Sequence, residues 1–73
     1  MSEGAQVTRI DARGLKCPWP AIRLARALRD GDGPVEIVAD DPAAEREIRA
    51  LALARGKSVE ISVVDRVSTF RID

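Results

Sequence analysis

The sequence has no histidine and a single cysteine, Cys17, and these two scarcities exclude more chemistry than anything else in its 73 residues. Without histidine there is no Cys-His pair to activate a nucleophile, and the usual zinc ligand sets are missing. With one thiol there is neither an internal disulfide nor a Cys-x-x-Cys redox pair, so any disulfide chemistry must pass between molecules. Aromatic residues are scarce as well: Trp19 and Phe70, with no tyrosine. A chain this short buries only about 60% of the surface it exposes when unfolded. The core is therefore expected to be thin, built from Val, Ile, Leu and Ala, with no room for a deep substrate cavity or a cofactor pocket. No apolar run approaches the roughly 20 residues that cross a bilayer, and Met1 to Gln6 lacks the basic and then apolar pattern of a secretory leader. The expectation is a cytoplasmic, monomeric protein with no cofactor, no metal and no membrane partner.

Acidic and basic residues balance at twelve each, which argues against direct nucleic-acid binding. Their placement is uneven. From Arg9 to Arg29 six basic residues (Arg9, Arg13, Lys16, Arg23, Arg26, Arg29) stand with one acid, Asp11, for a net plus five. From Asp30 to Asp73 ten acids outnumber six bases, for a net minus four. The basic half carries the cysteine.

That cysteine lies in Asp11-Ala12-Arg13-Gly14-Leu15-Lys16-Cys17-Pro18-Trp19-Pro20. Val7 and Ile10 ahead of it suggest a short strand, and Ala21, Leu24, Ala25 and Leu28 behind it keep helical spacing. Gly14 supplies the positive φ of a tight turn between them. Pro18 suits the first helical position and pushes Cys17 out of the helical region, which predicts Cys17 as the N-cap. The helix dipole, with Arg13 and Lys16 nearby, then favours a thiolate, so Cys17 is expected to be exposed and to titrate somewhat below the usual value of about 8.5. Pro18 and Pro20 lack N–H groups, which leaves the amides of Cys17, Trp19 and Ala21 for a bound anion. Trp19 either packs under the first turn or stands exposed as an anchor for a partner. The row Arg23, Arg26, Arg29 is by default a solvated face; the charge asymmetry offers Arg23 and Arg26 a docking role instead.

Along the chain, Met1 to Ala5 reads as a frayed tail, and a first strand is predicted near Gln6 to Ala12. A first helix runs from Pro18 to Arg29 and ends at Asp30-Gly31-Asp32-Gly33-Pro34. Val35 to Ala39 reads as a second strand. Asp41 and Pro42 supply the N-cap and first position of a second helix that runs to about Arg55, with Ala44, Ile48, Leu51 and Ala52 inward, Glu45 and Arg49 paired, and Gly56 closing it. Val59, Ile61 and Val63 alternate as a third strand, and a turn near Asp65-Arg66 returns a fourth with Phe70 and Ile72 inward. Residues 1–73 thus make one α+β domain, a two-layer α/β sandwich of order βαβαββ with both helices on one face of a four-stranded mixed sheet. The first two strands end on the same side, so Cys17 and Asp40-Asp41 should occupy adjacent loops. There Asp40 is placed to orient Arg13 or Lys16, and Asp41 is more a helix cap than a catalytic group.

The decapeptide resembles the signature of the TusA/SirA-like sulfur carriers, a Cys-Pro-x-Pro motif after an Asp-x-x-Gly-Leu run, through Asp11, Gly14, Leu15, Cys17, Pro18 and Pro20. Ala39-Asp40-Asp41-Pro42-Ala43 is similar to the second motif of that family, and the resemblance covers nearly the whole chain. Beyond Ile48, where many members have a proline or glycine, an aromatic and sometimes a second cysteine, this chain reads Arg49-Ala50-Leu51-Ala52, which leaves the subgroup open. The resemblance implies the same fold. It also implies a sulfurtransferase that works by relay, without stand-alone turnover. Cys17 takes sulfane sulfur as a persulfide from a cysteine desulfurase or rhodanese and yields it to an acceptor thiol, for tRNA thiolation, cofactor synthesis or sulfur oxidation. Arg13, Gly14, Lys16, Pro18, Trp19, Pro20, Asp40 and Asp41 support the site, and acidic surfaces on donor and acceptor are expected to meet Arg23 and Arg26. The rival classes are a regulatory or interaction module in which Cys17 is incidental, and an RNA-binding domain that uses the basic first helix.

Overall fold

Val35, Ile37 and Ala39 put an apolar side chain at every second position, and that period of two buries one side of a strand while leaving Glu36 and Val38 half-buried on the other. The computed structural model describes residues 7–31 and 33–73; the expected tail, Met1 to Ala5, lies outside them. The elements are β1 (Thr8–Ala12), α1 (Trp19–Asp30), β2 (Val35–Ala39), α2 (Ala44–Ala54), β3 (Val59–Val64) and β4 (Val67–Ile72). The strands form one mixed sheet in the order β1-β2-β4-β3. β1 runs parallel to β2, with Thr8 opposite Val35 and Ala12 opposite Ala39. β4 is antiparallel to both its neighbours and sets Phe70 beside Ile37 on one flank and Ile61 on the other.

The expected α+β architecture of βαβαββ order is therefore the one observed. The core lies between the helices and the sheet: Ala12, Val35, Ile37, Ala39, Phe70 and Ile72 from the strands meet Leu24 of α1 and Ala44, Ile48 and Ala52 of α2. No polar or charged side chain is buried among the described residues. On α1, Pro20 and Leu24 are buried and the half-buried Ala27 and Leu28 pack against the core, whereas Ala21 and Ala25, expected inward, are half-buried one position round the helix from that stripe. Val63, one of the three alternating residues of the expected third strand, lies near the end of the edge strand β3 and is 60% exposed.

Helix boundaries differ from expectation at their starts. α1 begins at Trp19: Pro18 holds the cap position (φ −99°, ψ 15°), its carbonyl accepting the Ile22 amide at 3.0 Å, and Pro20 follows within the first turn. α2 begins at Ala44, because Pro42 and Ala43 form a separate turn closed by the Ala44 amide on the Asp41 carbonyl at 2.9 Å. Its end is as expected, with Gly56 at φ +69° and a pair of capping bonds, Lys57 N–H to the Ala52 carbonyl (2.9 Å) and Gly56 N–H to the Leu53 carbonyl (3.1 Å). Glu45 and Arg49 pair across one turn at 3.1 Å. The hairpin between β3 and β4 turns on Asp65 (φ +54°) and Arg66 (φ +68°), which have the two positive φ angles that match a two-residue turn to the twist of the strands.

The face of the sheet away from the helices carries one cross-strand row of alternating charge. Arg9 lies opposite Glu36, Glu36 opposite Arg71, and Arg71 opposite Glu60, so each charge on that row has an opposite one as its neighbour.

Candidate functional site

Because Ala12 and Ala39 are paired, β1 and β2 end level and their following loops leave the sheet side by side. The first loop opens with a tight turn in which Gly14 takes φ +83° and the Leu15 amide returns to the Ala12 carbonyl at 3.2 Å. A second turn follows, closed by the Trp19 amide on the Lys16 carbonyl at 2.8 Å, with a cis peptide between Cys17 and Pro18. Two adjacent aspartates hold this loop by its backbone. The Gly14 amide donates to Asp40 Oδ1 at 2.9 Å, and the Cys17 amide donates to Asp41 Oδ2 at 2.6 Å. Asp41 Oδ1 also accepts the Ala43 amide at 3.3 Å. These bonds depress the Asp41 carboxyl below the usual carboxylate range, the Cys17 amide first, then the Ala43 amide, with a smaller contribution from the charge of Lys16.

The sequence placed Cys17 and the aspartate pair together correctly, but two of the roles differ. Asp40 orients neither Arg13 nor Lys16; it anchors the Gly14 amide. Arg13 instead turns back on Asp11, with Nε on Oδ1 and Nη2 on Oδ2, both at 2.9 Å, and its backbone amide adds a bond to Oδ1 at 3.1 Å. That fork pushes the Asp11 carboxyl down to about 2 and raises the Arg13 guanidinium further. Asp41 is a cap for the turn before α2 and a clip for the cysteine loop at once.

Cys17 is half-buried and stands one residue ahead of the cap position rather than on it. Its thiol is raised above the ordinary range, against the expected depression. The largest cause is a hydrogen bond to the Glu47 carboxylate; partial desolvation and the charges of Glu47 and Asp41 act the same way, and Arg46 opposes them. The reason is positional: with Trp19 as first helical residue, Cys17 lies beside Glu47 in the first turn of α2, while Arg13 is tied to Asp11. Glu47 and Arg46 are thus site residues that the sequence reading missed. The available signal was the cap: an Asp41 at the head of α2 on a loop adjacent to Cys17 brings the first turn of that helix, Ala44 to Glu47, against the cysteine loop.

Around the thiol the surface is open. Pro18 and Lys16 are exposed, Pro20 is buried beneath them as an anchor of the first turn, and Trp19 resolves its two readings by standing 55% exposed. Arg23 and Arg26 are exposed on α1 and line a cleft of about 510 Å³ together with Arg9, Ile10 and Asp11. Among the described residues no group of three His, Cys, Asp or Glu side chains is placed to hold a metal ion, and no helix is long and apolar enough to cross a membrane.

What the fold and site define is a small two-layer α+β domain presenting one thiol on a loop held by two aspartates. Residues 8–73 match the family model described as Sulfurtransferase TusA, and the chain belongs to the TusA family. It is 38% identical over 52 residues to a protein of Archaeoglobus fulgidus named as a candidate sulfur carrier, an overlap that covers 68% of each chain. The crystal structure of a SirA-like protein from Desulfitobacterium hafniense superposes with a TM-score of 0.83 at 30% identity, over 92% of this chain and 95% of the other.

Proposed function

We propose that this protein is a sulfur carrier whose Cys17 holds sulfane sulfur as a persulfide between a donor protein and an acceptor protein. The observation that carries the reading is the setting of the thiol: half-buried, fixed through its own backbone amide by Asp41, and flanked by an exposed tryptophan. In loading, Cys17 sulfur attacks the outer sulfur of a donor persulfide; the S–S bond of the donor breaks, Cys17–S–SH forms, and the donor leaves as a thiol carrying the proton that Cys17 gives up. In delivery an acceptor thiolate attacks the outer sulfur, and Cys17 is the leaving group. Both steps conserve electrons, so neither needs an oxidant or reductant.

The domain supplies a thiol whose ionisation is disfavoured in the free protein, most of all by the neighbouring Glu47 carboxylate. Activation is then a property of the complex: a donor surface that draws Glu47 away, or places a cation beside Cys17, releases the thiolate only where a persulfide waits. Donors of the cysteine desulfurase or rhodanese type fit this chemistry, with tRNA thiolation, cofactor synthesis or sulfur oxidation as destinations, in the cytoplasm and with the protein acting as a monomer. Acidic docking surfaces on both partners match Arg23 and Arg26.

The test is mass spectrometry after incubation with a persulfide donor. Loading adds about 32 Da to the wild-type chain and nothing to Cys17→Ser. Because Cys17 is half-buried and outside the helix, Cys17→Ser should fold as the parent does; an intact wild-type chain that gains no mass disposes of the proposal.

A further inference from the structure

Among the described residues β1 pairs with β2 on one side and with no strand on the other. The Thr8 amide donates to the Pro34 carbonyl at 3.0 Å, so by strand alternation Ile10 and Ala12 also turn their backbone groups toward β2. The amides and carbonyls of Arg9 and Asp11 therefore point away from the sheet, along an unpaired edge. A cleft runs on each side of that edge. The one on the helix side, about 510 Å³, is lined by Arg23 and Arg26 of α1; the one on the open face, about 390 Å³, is lined by Arg13, Glu36 and Val38; both share Arg9, Ile10 and Asp11.

We propose that this edge is a docking track for an acidic, extended segment of a partner protein, which adds to the sheet as a fifth strand beside β1. A strand paired there places alternate side chains in the two clefts. Those on the helix side meet Arg23 and Arg26, neither of which has an ion pair among the described residues. Those on the open face meet Arg9 and Arg13, already joined to Glu36 and Asp11. The matching segment is acidic at every second residue and neutral and polar between. A second copy of this chain is disfavoured, because edge-to-edge pairing brings Arg9, Arg23 and Arg26 against their own counterparts. The track leads to the thiol: β1 ends at Ala12, and the loop that follows carries Cys17. The inference deepens the reading of Arg23 and Arg26 as a docking face in sulfur transfer and names what docks on it.

The probe is a capped peptide of alternating Glu and Thr added to the full 15N-labelled chain, with a Lys-Thr peptide as control. The expected result is chemical-shift change centred on Arg9 and Asp11, slowed hydrogen exchange of those two amides, and no response to the Lys-Thr peptide. R23E/R26E should weaken peptide binding at least about tenfold. Arg9→Pro, which removes an outward amide and no bond to β2, should abolish it; a thermal melt shows whether that variant is folded, and the charge reversal decides the matter if it is not. Shifts centred on Trp19 or β3, equal binding of the Lys-Thr peptide, or no response at millimolar peptide overturn the proposal. Loading Cys17 from inorganic polysulfide separates the two readings. A chain that loads but ignores the peptide loses the track alone, and one that binds the peptide but never loads loses the sulfur-carrier reading alone.

Discussion

The backbone of Cys17 is fastened to the side chain of Asp41: the cysteine amide donates to Asp41 Oδ2 at 2.6 Å while Oδ1 takes the Ala43 amide at 3.3 Å. One carboxylate thus ties the head of α2 to the reactive loop, and Glu47 in the first turn of that helix raises the thiol above its ordinary range.

Glu47→Gln tests this directly. Removing the negative charge and its hydrogen bond favours the thiolate, so the pH midpoint for alkylation of Cys17 should fall toward the ordinary thiol value, and the rate at neutral pH should rise. Arg46→Gln removes the opposing cation and should move the midpoint the other way. Unchanged alkylation profiles in both variants would mean that the thiol does not sense α2.

Acid should loosen the fold in a definite window. Asp11 and Asp41 both have depressed carboxyl values in the folded chain, so each stabilises it above the unfolded aspartate value of about 3.9, and that contribution is lost as pH falls through the folded value, about 2 for Asp11. Urea midpoints should hold steady from neutral pH to about pH 5 and drop below about pH 4. The drop should be smaller in Asp41→Asn, which keeps an acceptor but no longer titrates.

Core substitutions should separate stability from reactivity. Ile48 and Phe70 are fully buried, so Ile48→Val should cost about 0.5–1.5 kcal/mol and Phe70→Ala about 3–5 kcal/mol. A domain of this size holds only about 4–11 kcal/mol in total, so the second variant should be largely unfolded at modest urea. Ile48→Val should leave alkylation of Cys17 unchanged while its urea midpoint falls.

Sulfur transfer should depend on salt. Attraction between the basic face and an acidic partner weakens as the Debye length shrinks from about 30 Å at 0.01 M to about 8 Å at 0.15 M. Transfer from a donor persulfide should slow accordingly, and R23E/R26E should slow it further at low salt with Cys17 alkylation unaffected. Rates indifferent to both changes would leave Trp19 as the recognition element.

Most of the architecture was legible because its signals are local. The alternation of Val35, Ile37 and Ala39 marks a strand, Ala44, Ile48 and Ala52 mark a helix face, and Gly56 marks its end. The order of the strands was not legible, since the patterns of β3 and β4 are the same whether β3 or β4 lies beside β2. The start of α1 was misread by one residue because Pro18 and Pro20 each suit a first turn, and only the Ile22 to Pro18 bond selects Trp19 as its first residue. That shift altered the chemistry: it moved Cys17 off the helix end and toward Glu47, thirty residues away in sequence, a neighbour that only the folded Asp41 contact supplies.

The position of β4 bears on how the domain comes together. β2 and β3 are not paired with each other; β4 lies between them and bonds to both. Everything ahead of Val67 can therefore form at most the parallel β1–β2 pair with α1 and α2 packed on it, while β3 has no strand to pair with and the β4-facing edge of β2 stays open. The sheet zips shut only when the sixth element enters its middle, which makes assembly a single cooperative event dominated by contacts distant in sequence. A ribosome-bound chain lacking β4 should show no protected sheet, and the thiol loop, whose anchor Asp41 depends on β2 keeping its place, acquires its geometry at that last step.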